Sequence, residues 1–169
     1  MLRSLIHRLY LVCGYAAAFF LAAIAVATLA QIIARQMGRA VETTEISGFF
    51  LAASTFLALA YTFVNGGHVR ITILPNVVPK RVTRWVELWC CAVGIGITFY
   101  AALQMTLFTL ETYRFGDLSP GMMAVPLWIP QTAVAVGLAV MCIGIIEQAT
   151  LVLTGRPPGY ESNIDSTAE

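Results

Sequence analysis

The sequence between Glu45 and His68 reads ISGFFLAASTFLALAYTFVNGG (residues 46–67) and contains no charged side chain. A helix needs about 20 apolar residues to cross a bilayer, because the hydrocarbon core is about 30 Å thick and each residue rises about 1.5 Å. This run is therefore long enough for one membrane-spanning helix. Its apolar residues are continuous and do not alternate with polar ones, which argues against a strand of a membrane barrel.

Three similar runs are present, one before this stretch and two after it. The whole chain is 59% hydrophobic and 11% charged, whereas a soluble domain is about 25% charged. We therefore predict an all-α integral membrane protein, with residues 1–169 forming a single four-helix domain. The predicted spans are 9–34, 46–67, 86–110 and 127–151, followed by a tail at 153–169.

The basic residues are distributed unequally between the two sides of such a protein. Seven lie in segments 1–8, 68–87 and 153–169, and three lie in 35–45 and 111–117. Cytoplasmic loops of membrane proteins carry the excess of Lys and Arg. The charge distribution therefore predicts that both termini are cytoplasmic.

The first apolar run also has features of a secretory signal peptide. Arg3 and Arg8 precede it, and the small residues at 25–27 resemble a cleavage site. The run is longer than the apolar core of such a peptide and carries Tyr10 and Tyr15 at its start. We therefore expect an uncleaved first helix.

The segment before the third span has an amphipathic pattern. Pro79 suits the first position of a helix. In a helix starting at this point, one side would carry apolar side chains within an arc of about 100°: Val78, Val82, Trp85, Val86 and Trp89. This pattern predicts a helix start in the membrane interface, either as a simple lipid anchor or as a docking surface for another protein. The expected interfacial anchors are Trp85, Trp89 and Trp128, and the cations expected to face anionic lipid or a partner are Lys80, Arg81 and Arg84.

Polar groups are scarce inside the predicted spans. The glutamates near them, at positions 45, 87, 111 and 147, lie at or near helix ends. Gln31 and Gln104 are expected to form hydrogen bonds between helices, and the four cysteines are expected to pack as small apolar residues. We expect no enzymatic activity, no metal or cofactor site and no nucleic-acid partner. A transporter acting alone normally needs a polar site near the midplane of the membrane, and the sequence offers none.

Small residues recur at helical spacing. In the first span they form a series at every fourth position, which permits close approach of another helix. The sequence leaves open whether they pack within this chain or against a second one. The residues concerned are Gly14, Ala18, Ala22, Gly94, Gly96, Ala133, Gly137 and Gly144.

Two loop segments contain helix-ending residues. Gly66 and Gly67 permit positive φ and are expected to end the second helix. His68 and Arg70 follow them and are placed to bind the last free carbonyls, lipid phosphate or a neighbouring chain. On the opposite side, prolines are expected to break regular helix just before the fourth span: Pro120, Pro126 and Pro130.

These two segments resemble a known family. The first matching stretch is EISGFFLAASTFLALAYTFVNGGHVRITIL (residues 45–74), and the second is RFGDLSPGMMAVPLWIPQ (residues 114–131). Both are similar to motifs of the small membrane subunit of tripartite ATP-independent periplasmic (TRAP) transporters, the DctQ-like family. The chain length and the four-span layout with a cytoplasmic N-terminus also agree with this family.

The resemblance implies a non-catalytic subunit of a transporter in the bacterial inner membrane. In such systems a periplasmic binding protein delivers a carboxylate or related organic anion to a large membrane subunit, which holds the solute and sodium sites. The small subunit packs on the large one and enlarges its scaffold. The resemblance assigns helix-end and partner-subunit contacts to Glu45, Gly66, Gly67, His68 and Arg70. We expect binding-protein docking at Arg35, Arg39, Glu42, Arg114, Ser119 and Pro120.

Two other functions remain open at this stage. One is a small exporter that acts alone as a homodimer, which would need a carboxylate embedded in the first helix; residues 9–34 contain none. The other is a structural four-helix membrane protein with no role in transport.

Overall fold

The structure, a computed structural model, describes residues 2–39, 42–64, 80–121 and 123–154. Four helices account for most of them: α1 (Leu2–Gln36), α2 (Thr44–Val64), α3 (Lys80–Phe115) and α4 (Trp128–Thr154). Each contains an apolar stretch long enough to cross a membrane. The prediction of an all-α fold with four membrane-spanning helices is thus confirmed.

Two helices are longer than their predicted spans. Helices α1 and α3 contain 35 and 36 residues, so each is roughly 50 Å long at 1.5 Å per residue. The predicted spans stopped at the first charged residue, but a helix continues through Arg or Glu because both are good helix formers and extend into water. The predicted end of the second helix at Gly66 and Gly67 lies outside the described residues, as does Pro79. The interfacial position of the start of α3 and the sidedness of the chain stay predictions.

The helices form an open row in the order α1, α2, α4, α3. Helix α2 packs between α1 and α4, and α4 packs between α2 and α3. Within the described residues α1 meets α4 at only a few positions, and α3 contacts neither α1 nor α2. Helix α4 is consequently the most buried of the four, whereas the most apolar stretch of α3 has no buried residue. A closed four-helix bundle would bury all four helices to a similar degree.

Small residues bring α2 and α4 close together. A Cβ at Gly137 would clash with the main chain of Phe56, and Gly144 faces the side chains of Phe63 and Val64. Ala60 of α2 is fully buried. The predicted packing role of the α4 glycines is confirmed, and they serve the fold of this chain.

The small-residue series of α1 behaves differently. Gly14 packs on the ring of Tyr61, but Ala18 and Ala22 are exposed. The buried side of α1 contains Tyr10, Cys13 and Ala17, and the last two each lie one position before a member of the series. Most of the predicted series is thus not used for packing within this chain.

Two glycines end helices on the side of the assembly that holds the α1–α2 and α3–α4 connections. We call this side, at one end of the helix axes, the distal end. Gly38 and Gly116 have φ of 72° and 69°. After α1, the N–H of Arg39 donates to the carbonyl of Ala34 (2.9 Å) and the N–H of Gly38 to that of Arg35 (3.1 Å). These two bonds form a Schellman motif, which needs a left-handed residue that glycine adopts without strain.

The connection between α3 and α4 is a short non-helical hairpin. The N–H of Ser119 donates to the carbonyl of Val125 (2.9 Å), and the N–H of Leu127 donates to that of Asp117 (3.1 Å). The expected break of the helix by prolines is confirmed for Pro120 and Pro126. Pro130 instead lies in the first turn of α4, where no intrahelical hydrogen bond from its nitrogen is needed.

Candidate functional site

The distal hairpin packs against the start of α2. Glu45 lies in the first turn of α2, where the helix dipole favours a carboxylate. The carboxyl group rests directly on Gly121, so that a Cβ at this position would overlap it. Glycine is therefore the residue that lets the hairpin close on α2, and this contact fixes the hairpin relative to the helix row.

Hydrogen bonding within the hairpin holds this contact in place. Ser119 is buried, and its Oγ accepts a hydrogen bond from the N–H of Gly121 (3.2 Å). Ala124 adopts a left-handed φ of 45° in the same loop. The structure thus brings together Glu45 and Ser119, which the sequence assigned to different roles. Their shared neighbour, Gly121, was missed because its role depends on a carboxylate far away in the sequence.

One carboxylate oxygen in this corner is left unpaired. Glu45 Oε1 is buried and accepts no hydrogen bond from any of the described residues. An unpaired buried acceptor is costly.

The end of α1 adds an open hollow at the distal end. Arg35 lies in the last turn of α1, where a cation complements the helix dipole. Together with Thr28 and Gln31 it lines an open hollow of about 470 Å³. Gln31 Oε1 accepts a hydrogen bond from Thr43 Oγ1 (2.6 Å), which ties the end of α1 to the residue before α2. Gln31 thus forms a hydrogen bond, but with the connection before α2 and not with another helix as expected.

The remaining candidate docking residues lie in the helix ends and connections of the distal end, and Pro120 is the hairpin residue between Ser119 and Gly121. Arg39, Glu42, Arg114 and Pro120 are exposed. Because cations and carboxylates alternate here, the distal end has a mixed charge pattern. Such a pattern can orient a protein partner by complementary charges.

The predicted membrane anchors differ in their surroundings. Trp85 and Trp89 are 74% and 70% exposed on α3. Trp128 is half-buried at the start of α4, and its ring meets the edge of Tyr113 at 5.5 Å between centroids. Their placement at headgroup depth stays a prediction. Outside the described part of the chain lie the motif residues Gly66, Gly67, His68 and Arg70 and the side chains of Lys80, Arg81 and Arg84.

A polar contact at the opposite end of the row was not anticipated. Tyr10 of α1 is 2% exposed, and its hydroxyl donates to Glu147 Oε2 of α4 at 3.0 Å. The sequence placed Glu147 about one turn from the helix end, free to reach the interface. The two residues are 137 positions apart, so no local pattern could have paired them.

The described residues contain neither a metal-binding cluster nor a disulfide. No group of three or more His, Cys, Asp or Glu side chains there could hold a metal ion. None of the four cysteines forms a disulfide; Cys13 and Cys142 are buried, whereas Cys90 is exposed. The expected packing role is confirmed for the two buried ones.

A sequence model of one transporter component matches residues 24–155, which is most of the chain: "Tripartite ATP-independent periplasmic transporters, DctQ component". The chain belongs to the DctQ family. No curated protein and no solved structure matches it. This DctQ chain is therefore a multi-pass membrane component of a TRAP transporter. The match includes the α1 hollow, the Glu45–Gly121 corner and the whole of α4, but it begins after Tyr10.

Proposed function

We propose that this DctQ chain is the non-catalytic small subunit of a sodium-coupled, binding-protein-dependent transporter for a carboxylate or related organic anion in the bacterial inner membrane. It forms a heterodimer with a large membrane subunit, which holds the solute and sodium sites. Its distal end faces the periplasm and helps to dock the binding protein, and both termini are cytoplasmic.

The open helix row is the observation that carries this proposal. Helix α3 packs on α4 alone within the described residues. Large apolar side chains along it remain exposed, among them Ile97, Phe99 and Phe108. Such a row presents broad apolar surfaces to a second membrane protein or to lipid, and it encloses no central path for a solute.

The charge distribution supports the same role. No charged residue lies between Arg8 and Arg35, and none lies between Asp117 and Glu147. Solute and ion sites of secondary transporters lie near the membrane midplane and are built from broken helices or embedded polar groups. A chain without such groups depends on a partner for transport.

The distal corner supports the docking role. Glu45, Ser119 and Gly121 fix the hairpin, and exposed Arg39 and Arg114 flank it. A surface built on a fixed hairpin loses little entropy when a partner binds.

Co-purification tests the proposal. The chain is tagged, expressed with its genomic neighbours, extracted in mild detergent, and the bound proteins are identified by mass spectrometry. The expected result is a stable one-to-one complex with a large multi-span protein. A homodimer with no neighbour attached would overturn the proposal and favour the self-contained transporter.

A further inference from the structure

A groove of about 300 Å³ opens between α3 and α4 near the distal end. Thr109 of α3 and Ala135 of α4 are buried and form its floor, whereas Thr106, Leu110 and Ala139 are exposed along its walls. The groove exists because α4 has alanine at 135 and 139, where larger side chains would fill the space. Its volume is at the lower end of the range for small-molecule sites, about 300–1,000 Å³.

The walls of the groove offer no free hydrogen-bond donor from their hydroxyl groups. Thr106 Oγ1 donates to the carbonyl of Ala102 (2.7 Å) and Thr109 Oγ1 to that of Met105 (2.7 Å). Thr132, on the α4 side, donates to its own helix at 2.6 Å. Because these hydroxyl groups already donate within their own helices, they are not available as donors to a ligand, and the lining of the groove is mainly apolar. The chemistry of the walls suits an apolar occupant.

The distal mouth of the groove is lined by aromatic side chains, unlike its aliphatic walls. Tyr113 follows Thr109 by one helical turn, and Trp128 precedes Thr132 by one turn, so both lie just above the groove. Their rings pack edge to face. Tyr and Trp side chains with an apolar body and a polar tip are typical of the headgroup region of a bilayer.

A cation completes the mouth. Arg114 continues the row of Thr106 and Leu110 at a spacing of four residues, and it is exposed. No described residue forms an ion pair or hydrogen bond with its guanidinium. Glu111 is near Arg114 in the sequence, but it does not face the groove. It is the residue after Leu110, which lines the groove, and one residue turns the helix by about 100°. The order along the surface is therefore an apolar groove, an aromatic pair and a cation.

We propose that this groove binds one acyl chain of an anionic phospholipid. The acyl chain lies between α3 and α4, the glycerol region rests on Tyr113 and Trp128, and Arg114 binds the phosphate. Arginine suits this last contact because its planar guanidinium can form paired hydrogen bonds with phosphate oxygens. The proposal does not depend on the transport function.

Quenching of Trp128 fluorescence tests the proposal. The chain contains three tryptophans, so Trp85→Phe and Trp89→Phe leave Trp128 as the single emitter. The full chain is reconstituted in phosphatidylcholine vesicles containing increasing fractions of brominated phosphatidylglycerol or brominated phosphatidylcholine. We expect half-maximal quenching at a roughly fivefold lower fraction of the anionic lipid, the size expected for one cation at an anionic surface. Identical curves for the two lipids would overturn the proposal.

Two variants separate the acyl site from the headgroup site. Arg114→Gln should abolish the preference for phosphatidylglycerol while both lipids still quench. Ala139→Phe should fill the groove and weaken quenching by both lipids, whereas Ala92→Phe, at an exposed position elsewhere on α3, should leave the curves unchanged. Equal curves for Ala139→Phe and Ala92→Phe would contradict an acyl chain in the groove.

A last measurement distinguishes lipid from protein as the occupant. The quenching series is repeated on the complex with the large subunit. Persistence of the preference for phosphatidylglycerol supports a lipid site, and its loss would show that protein covers the groove and overturn the proposal. Failure of this proposal in the isolated chain would leave the co-purification result untouched.

Discussion

Tyr10 of α1 and Glu147 of α4 are joined by a partly buried hydrogen bond, in which the Tyr10 hydroxyl donates to Glu147 Oε2 at 3.0 Å. Helices α1 and α4 otherwise meet at few positions. The bond lies at the end of the row opposite to the Glu45–Gly121 contact. Polar contacts are thus present at both ends of a largely apolar assembly.

Replacing Tyr10 by Phe should destabilise the chain by about 0.5–1.5 kcal/mol, because the ring is kept but one hydrogen bond to the half-buried Glu147 is lost. The measurement is the midpoint of thermal unfolding in detergent. Tyr15→Phe is the matched control, since Tyr15 is 74% exposed. Equal midpoints for the two variants would show that the Tyr10 hydroxyl contributes nothing.

Replacing Gly121 by Ala should disturb the distal hairpin, because the new methyl group occupies the place of the Glu45 carboxylate. We expect a loss of about 1–3 kcal/mol, which is typical of overpacking. Faster hydrogen exchange at 117–127 would report the opening of the hairpin.

The double variant Gly121→Ala with Glu45→Ala should recover part of this loss, because the two changes act at one contact and are not additive. Gly96→Ala is the control, since nothing lies within 4 Å of its Cβ position. If the double variant exchanges as fast as Gly121→Ala alone, the contact with Glu45 is not the cause.

Replacing Gly137 by Ala should push α2 and α4 apart, since the added methyl group meets the main chain of Phe56, which cannot rotate away. Overpacking of this kind costs typically 1–3 kcal/mol and occasionally more. The yield of monodisperse protein after detergent extraction and its unfolding midpoint should both fall. Gly48→Ala on the exposed side of α2 should change neither, and a wild-type midpoint for Gly137→Ala would refute the close approach.

Replacing Arg39 by Glu should reduce binding-protein-dependent uptake roughly two- to tenfold at low salt, because a charge at the rim of an interface mainly affects the association rate. The complex with the large subunit should still purify intact. Arg39→Lys keeps the charge and should retain uptake. Uptake by Arg39→Glu at the wild-type rate would argue against docking at this end.

Replacing Arg114 by Glu should reduce uptake in the same way if Arg114 also contacts the binding protein. Arg114→Gln separates this effect from lipid binding, because its loss of lipid preference is measured in the isolated chain without any partner. Normal uptake by both variants, together with a lost lipid preference in Arg114→Gln, would leave Arg114 with a role at the membrane alone.

The sequence predicted the number and type of the helices because this information is local. Four long uncharged runs have no other way to satisfy their main-chain hydrogen bonds in a membrane. The helix-ending role of Pro120 and Pro126 was also visible locally. Gly38 and Gly116 carried an equally local signal, a glycine just beyond the last helical turn, but both lie beyond the predicted spans, which ended before Arg35 and Glu111.

The site was less predictable because its contacts join distant positions. Ser119 and Glu45 were recognised as residues of interest, but their meeting at Gly121 depends on α2 and α4 running side by side. The Tyr10–Glu147 bond depends on the same arrangement. The order α1, α2, α4, α3 could not be deduced either, since consecutive elements are usually neighbours in space and α2 and α3 are not.

This order has a consequence for biosynthesis. A ribosome delivers α3 to the membrane before α4, yet α4 is the helix against which α3 packs in the described structure. Until α4 enters the membrane, α1 and α2 can associate as a pair. Helix α3 is meanwhile surrounded by lipid, because its packing partner in the described structure is α4. The insertion of α4 between α2 and α3 is then the step that joins the α1–α2 pair and α3, so the synthesis of α4 determines when these four helices can assemble.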